Sequence, residues 1–146
     1  MELYDELAAF YEDLNMYNDK ISEAATEFNN TYASNNYHTR QKNAANVNRL
    51  MGDLQETYDR LLSVKVPVSS INADTYSAME TCYYDCTKRI SVISEAWDIS
   101  LMYEEPKYFK DEILEPISRD NDGSTNRYYA EFKSTFPDAK PVKPTA

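Results

Sequence analysis

Apolar residues recur at alternating spacings of four and three in two long segments of the chain. In a helix, this spacing places them in one narrow row that packs against neighbouring helices. The first segment, residues 3–32, carries the row Leu3, Leu7, Phe10, Leu14, Tyr17, Ile21, Ala24 and Phe28. The later segment carries Tyr76, Met79, Tyr83, Cys86, Ile90, Ile93 and Trp97, with Leu101 one step beyond. The pattern therefore predicts long helices that lie side by side.

A further helix is predicted over residues 39–64, between these two segments. Its apolar face consists of Val47, Leu50, Leu54, Tyr58 and Leu61. Gly52 lies inside it at a cost of about 1 kcal/mol relative to alanine, which a close approach between two helices would explain. Pro67 marks the end of this helix, because the residue before a proline disfavours the helical conformation.

Polar residues predict where the later helices begin. Ser70 or Asn72 is expected to cap the third long helix, which reaches about residue 103. Two short helices would carry Tyr108, Phe109, Ile113 and Leu114, and then Tyr128, Tyr129, Phe132 and Phe136. Pro116 is expected to kink or end the first of them, and Thr125 or Asn126 to cap the second.

These elements predict an all-α protein. We expect an antiparallel bundle of three long helices with one or two short C-terminal helices, describable as a three- or four-helix bundle. Residues 1–136 would form a single helical-bundle domain. Residues 137–146, which contain three prolines and no apolar period, would form an extended or disordered tail.

Charge complementarity supports an antiparallel arrangement of the first two helices. The first helix is strongly acidic, whereas the second begins with basic residues. An antiparallel hairpin would bring Glu23 and Glu27 near Arg40 and Lys42. Such exposed pairs contribute only about 0.2–1 kcal/mol, so they would select the arrangement more than hold it together.

Acidic residues dominate the composition. The formal net charge of the 146 residues is −10, which repels phosphate groups, so we expect no nucleic-acid partner and no docking on anionic lipid. No segment is long and apolar enough for membrane insertion. Glu2, Asp5 and Glu6 stand where an export signal would be positively charged, so we expect any such signal to be absent from this sequence.

The chain contains 13 tyrosines, several of them beside the apolar rows. Exposed tyrosine rings are good anchors for partners, and half-buried rings that keep their hydroxyls in water are the alternative. The acidic character, the abundance of Asn and Tyr, and the proline-bearing tail resemble helical-bundle domains of exported or cell-surface bacterial proteins. This resemblance implies an extracytoplasmic, lipoprotein-like setting at the cell surface of a bacterium.

Complete catalytic motifs are missing from the sequence. Its single histidine, His38, excludes a His-Glu-x-x-His zinc site, and Asn35 replaces the glutamate that a Glu-x-x-His di-iron motif requires. Gly52 and Gly123 are isolated, so no glycine-rich phosphate loop exists. We therefore expect no enzymatic activity, although a carboxylate pair between helices would escape a search for motifs.

Cys82 and Cys86 lie one helical turn apart, on the same face of the third helix. Three roles stay open for them. The first is packing as small apolar residues, and the second is a strained disulfide. The third is binding of a soft metal such as copper or zinc, with Met79 as a further sulfur ligand. The stretch lacks enough ligands for a closed metal site.

Oxygen-bearing residues between the short helices resemble an EF-hand calcium loop. Asp120, Asp122, Ser124 and Glu131 occupy the first, third, fifth and twelfth positions, where such loops have oxygen ligands. Thr125 replaces the glycine that the sixth position requires, and this departure weakens the match. The alternative is an Asp-Gly turn followed by a helix cap.

We hypothesise from these patterns a non-enzymatic binding or structural module. Its partner would be an unidentified protein or small ligand, and it would act as a monomer or homodimer without a resident cofactor. The alternative is a metal-binding protein, which would use calcium at the Asp120 loop or a soft metal at the Cys82 and Cys86 pair.

Overall fold

The chain folds almost entirely into helices, which confirms the predicted all-α class. The computed structural model describes residues 2–145. Within that range the α-helices are α1 (Glu2–Thr31), α2 (Tyr37–Leu62), α3 (Ala73–Ser100), α4 (Lys110–Arg119) and α5 (Arg127–Thr135). Short 3₁₀ helices cover Pro106–Tyr108 and Phe136–Ala139, and two-residue strands, β1 (Asn121–Asp122) and β2 (Thr125–Asn126), pair antiparallel between α4 and α5.

Asparagine side chains cap two of the helices. The Oδ1 atom of Asn36 accepts the backbone N–H of Thr39 at 3.0 Å at the start of α2. Asn126, the second of the two caps predicted for the last helix, accepts the backbone N–H groups of Tyr128 and Tyr129, both at 3.0 Å. These bonds satisfy N–H groups that have no partner within the helix.

Asn72 precedes α3, as predicted, but its side chain makes no cap hydrogen bond. It binds the C-terminal segment instead, accepting the N–H of Val142 at 2.7 Å and donating to the Val142 carbonyl at 3.0 Å. The segment predicted as a tail, residues 137–146, also begins within the 3₁₀ helix Phe136–Ala139. Val142 of this segment is thus hydrogen-bonded to the start of α3.

Helix α4 does not end at Pro116, which was one of the two outcomes predicted from the sequence. It continues through the proline to Arg119. A proline inside a helix removes one backbone hydrogen bond and costs about 3 kcal/mol. Pro116 and Ile113 are both buried, so apolar packing offsets this cost.

Hydrogen bonds between the long helices show their relative directions. Along α1 and α2, and along α2 and α3, the bonded positions run in opposite order, whereas along α1 and α3 they run in the same order. Between α1 and α2, the bonds join Tyr17 to Thr57 and Thr31 to Asn43. Between α2 and α3, they join Arg40 to Ser100 and Leu61 to Tyr76. Between α1, or the residue that follows it, and α3, they join Phe10 to Tyr83 and Tyr32 to Ser100. Together, the apolar rows predicted on α1 and α3 supply most of the residues of the buried core.

The ion pairs predicted between α1 and α2 do not form within residues 2–145, so Glu23 and Glu27 have no basic partner there. Arg40 is fully buried instead, and its guanidinium donates to the backbone carbonyls of Ser100 and Tyr103. Carbonyls at the end of a helix have no intrahelical partner. Arg40 therefore supplies hydrogen bonds to carbonyl groups at the end of α3. Such buried hydrogen bonds from a charged donor are stronger than an exposed ion pair.

Candidate functional site

Helix α3 is buried on two sides. Besides the predicted row, a second row at spacings of three, four or seven is buried, and it consists of Cys82, Asp85, Arg89, Ala96 and Ser100. Helices α1 and α2 pack on α3, and so do α4, α5 and the 3₁₀ helix Phe136–Ala139. Because the short C-terminal elements also pack on α3, this helix lies at the centre of the fold.

An open groove of about 350 Å³ lies where α1, α3, α4 and the start of α5 meet. Its walls are formed by Ile21, Ser22, Ala25, Phe28, Asn29, Arg89, Val92, Ile93, Ile117, Asn126 and Tyr129. The volume is at the lower end of the roughly 300–1,000 Å³ found for ligand sites. Although the chain contains 25 acidic residues, none lines this groove, and Arg89 is its single charged residue.

The Arg89 side chain is 7% exposed and is held from several sides. Its Nη1 donates to Oδ1 of Asn18 at 2.8 Å and lies 3.9 Å from Sγ of Cys86. Its Cζ lies over the rings of Tyr129 and Phe132, 4.7 and 5.4 Å from their centroids. These contacts fix the guanidinium at the groove wall through hydrogen bonding and cation–π attraction.

Arg89 has no carboxylate partner. No Asp or Glu oxygen lies within 4.0 Å of its guanidinium among residues 2–145. Burial lowers the pKa of Arg89, yet an arginine side chain stays protonated in proteins. A buried charge without a counterion is costly, and such charges are normally paired.

Asp85, one helical turn before Arg89, lies beyond ion-pair distance of its guanidinium. Asp85 is fully buried, no donor group of another residue type reaches its carboxyl oxygens, and its hydrogen-bonding neighbour is the Glu131 carboxyl. Burial raises the pKa of Asp85 to about 8, the nearby Glu131 carboxyl on α5 adds to this rise, and Arg89 opposes it. Burial and the Glu131 carboxyl therefore both favour the protonated, neutral form of Asp85.

Cys82 and Cys86 are fully buried free thiols that flank Asp85 on the same face of α3. Burial raises the pKa of each thiol to about 12. The thiolate is the form that reacts with oxidants and metals, so at neutral pH both residues behave as small apolar groups. This geometry agrees with the packing role, and soft-metal binding stays a prediction.

The acidic residues of the predicted calcium loop lie on different elements of the structure. Asp120 is ion-paired with Arg127 at 3.4 Å, and Asp122 lies in the hairpin whose turn contains Gly123 at φ +68°. Glu131 lies on α5, where it interacts with Asp85. No group of three or more His, Cys, Asp and Glu side chains suited to a metal occurs in the described range. Calcium binding here, Ser124 included, thus stays a prediction.

Sequence reasoning missed Asp85, Arg89 and Tyr129. The available signal was the charged pair Asp85 and Arg89, four residues apart in the second row of α3. A single long helix with two apolar rows indicates burial on both sides, so charged residues in the second row are candidates for a site. The contribution of Tyr129 from α5 has no comparable local signal.

Comparison of the chain with protein-family models, curated proteins and solved structures finds no match in any of the three. Among residues 2–145, no helix has the length and apolar character that crossing a membrane requires.

Proposed function

We propose that this chain is a non-enzymatic binding module whose groove between α1, α3, α4 and α5 takes a small amphipathic ligand. The observation that carries the proposal is the buried Arg89 cation, which has no counterion and lies in the wall of an otherwise uncharged groove. Retaining such a charge lowers stability unless something binds it. A ligand in the groove would supply that partner.

The lining supports a ligand with a substantial apolar part. Ile21, Phe28 and Ile117 contribute apolar side chains, while Asn29 and Asn126 add polar groups. This mixture of apolar walls and few polar groups is typical of small-molecule sites. As parts of the same proposal, the three long helices form an antiparallel bundle that carries the groove, and the module acts outside the cytoplasm, which its compositional resemblance to exported proteins supports.

Titration with N-phenyl-1-naphthylamine, a neutral dye that fluoresces in apolar sites, tests this function. We expect saturable binding at one site per chain. Ala25 lines the groove and is partly buried, so Ala25→Phe should fill the groove and abolish binding.

Ala24→Phe is the matched control. Ala24 is its neighbour on α1, is also partly buried, and lines a different groove beside Glu23 and Arg49. Dye binding should persist in this variant. Absence of saturable binding to the unmodified protein, or equal binding by the Ala25→Phe variant, would refute the proposal.

A further inference from the structure

We infer that the ligand carries a carboxylate, which Arg89 binds while the apolar body of the ligand occupies the groove. This inference rests on the proposed function and names the class of ligand. It follows from the arrangement of the guanidinium, from the charge distribution around it and from the donors that remain free.

The hydrogen-bonding pattern of Arg89 leaves one edge of the guanidinium free. Nη1 is engaged by Asn18, whereas Nε and Nη2 donate to no acceptor within the described residues. These two nitrogens are also not sealed from solvent, unlike Nε of the fully buried Arg40. The Nε and Nη2 edge presents two parallel N–H groups, the geometry that matches the two oxygens of a carboxylate.

The aromatic contacts of Arg89 favour a planar anion at that edge. Tyr129 and Phe132 both lie beneath the guanidinium carbon, so the group has little freedom to turn. A pre-oriented guanidinium loses little entropy when it forms a bidentate pair. An ammonium group in the same place would offer a point charge without this geometry.

The charges around Arg89 favour a single negative charge. No Asp or Glu oxygen lies within 4.0 Å of the Arg89 guanidinium among residues 2–145, so its positive charge has no ion-pair partner in the groove. No second Lys or Arg lines the groove, as a dianionic phosphate would require. The net charge of −10 opposes anions at long range, but salt screens such repulsion over about 8 Å at physiological ionic strength.

Isothermal titration with a matched pair, octanoate and octanamide, tests the inference. These probes share an alkyl chain and differ in the charge of the head group. We expect octanoate to bind roughly 10- to 100-fold more tightly than octanamide at neutral pH, since hydrogen bonds to charged groups have that effect. Octyl phosphate should bind no better than octanoate.

Substitutions separate a role in recognition from a role in structure. Arg89→Met should bring the affinities for octanoate and octanamide within threefold of each other. Lys88→Met is the control, because Lys88 is the adjacent base on α3 and lines a different groove. This variant should keep the preference. A purely structural Arg89 would lower the melting temperature on replacement by Met and leave the preference unchanged.

Asn18→Asp provides a second test that does not remove the cation. The new carboxylate would lie about where Oδ1 now accepts from Arg89 at 2.8 Å, so it would act as an internal counterion. We expect this variant to melt at a higher temperature and to bind octanoate severalfold more weakly. Unchanged octanoate binding would contradict the inference.

A carboxylate can belong to a small amphiphile or to the C-terminus of an apolar peptide. Acetyl-trileucine as the free acid, compared with its amide, distinguishes these sources. Tighter binding of the peptide acid than of octanoate would assign the groove to peptide C-termini, and the reverse would assign it to small amphiphiles.

The possible failures are distinguishable. If N-phenyl-1-naphthylamine does not bind, the proposed function fails. If the dye binds but octanoate and octanamide have equal affinities, or octyl phosphate binds tighter than both, only the carboxylate inference fails.

Discussion

Replacing Asp85 with Asn removes the one acidic group that is fully buried in the described part of the chain. Asn has nearly the same shape as protonated Asp but cannot ionise. The variant should therefore resemble the protonated form of the native protein at every pH. The difference between the two proteins then measures what the ionisation of Asp85 costs.

The magnitude follows from the pKa. The pKa of Asp85 rises from 3.8 to about 8 in the folded protein because of burial and the Glu131 carboxyl. Between these values the folded state binds more protons than the unfolded state, so stability falls as pH rises. With about 1.4 kcal/mol per pKa unit, ionisation of Asp85 lowers the unfolding free energy by about 4 kcal/mol between pH 4 and pH 7. That loss is large against a typical total of about 5–15 kcal/mol.

Urea unfolding from pH 4 to pH 9 provides the assay. Trp97 is the single tryptophan and is 1% exposed, so its fluorescence reports loss of the core. The Asp85→Asn variant should match the native protein near pH 4 and become more stable by about 4 kcal/mol at pH 7. The difference should level off above pH 8. Asp98→Asn, an exposed change on the same helix, is the control.

A constant difference between the native protein and the Asp85→Asn variant at all pH values would refute this reasoning. It would mean that Asp85 ionises in the folded state as easily as in the unfolded chain. A difference that follows the Asp98→Asn control would have the same meaning.

Further predictions concern the neighbours of this carboxyl and other buried polar groups. Glu131→Gln should lower the pKa of Asp85. In the same urea titrations, the unfolding free energy should therefore stop decreasing at a lower pH than in the native protein. Arg40→Met should lower the unfolding free energy by about 3 kcal/mol, because the carbonyls at the end of α3 lose a charged donor, whereas Lys42→Met should change it little. Gly52→Ala should raise it by about 0.5–1 kcal/mol, since a methyl group at this exposed helical position meets open space and the helix propensity improves. The two cysteines, whose thiols have pKa values of about 12, should resist iodoacetamide at pH 8 until urea unfolds the protein, as mass spectrometry would show.

Local patterns were sufficient for much of the fold. The spacing of apolar residues located α1, α2 and α3 within a few residues, since one face of each helix is buried in the core. The polar residue Asn126 identified the start of α5, because its cap bond depends only on residues close in sequence. These features are set by interactions within one or two helical turns.

Other features depend on residues distant in sequence. Asn72 suits a helix cap locally, yet it binds Val142, and only the folded chain brings that segment to α3. Arg40 suits an exposed ion pair, yet it is buried against the end of α3. In both cases the side chain bonds backbone groups about 60 or 70 residues away in sequence.

The sequence by itself determined an acidic, all-helical chain with apolar rows on its long helices. Only the tertiary structure decided that α4 and α5 cover the second row of α3, and that Arg89 there lies in a groove without a carboxylate partner. Periodicity shows that a helical face is apolar, but it does not identify the element that covers it. The groove exists because elements far apart in the chain pack around one charged residue, and that arrangement depends on long-range packing.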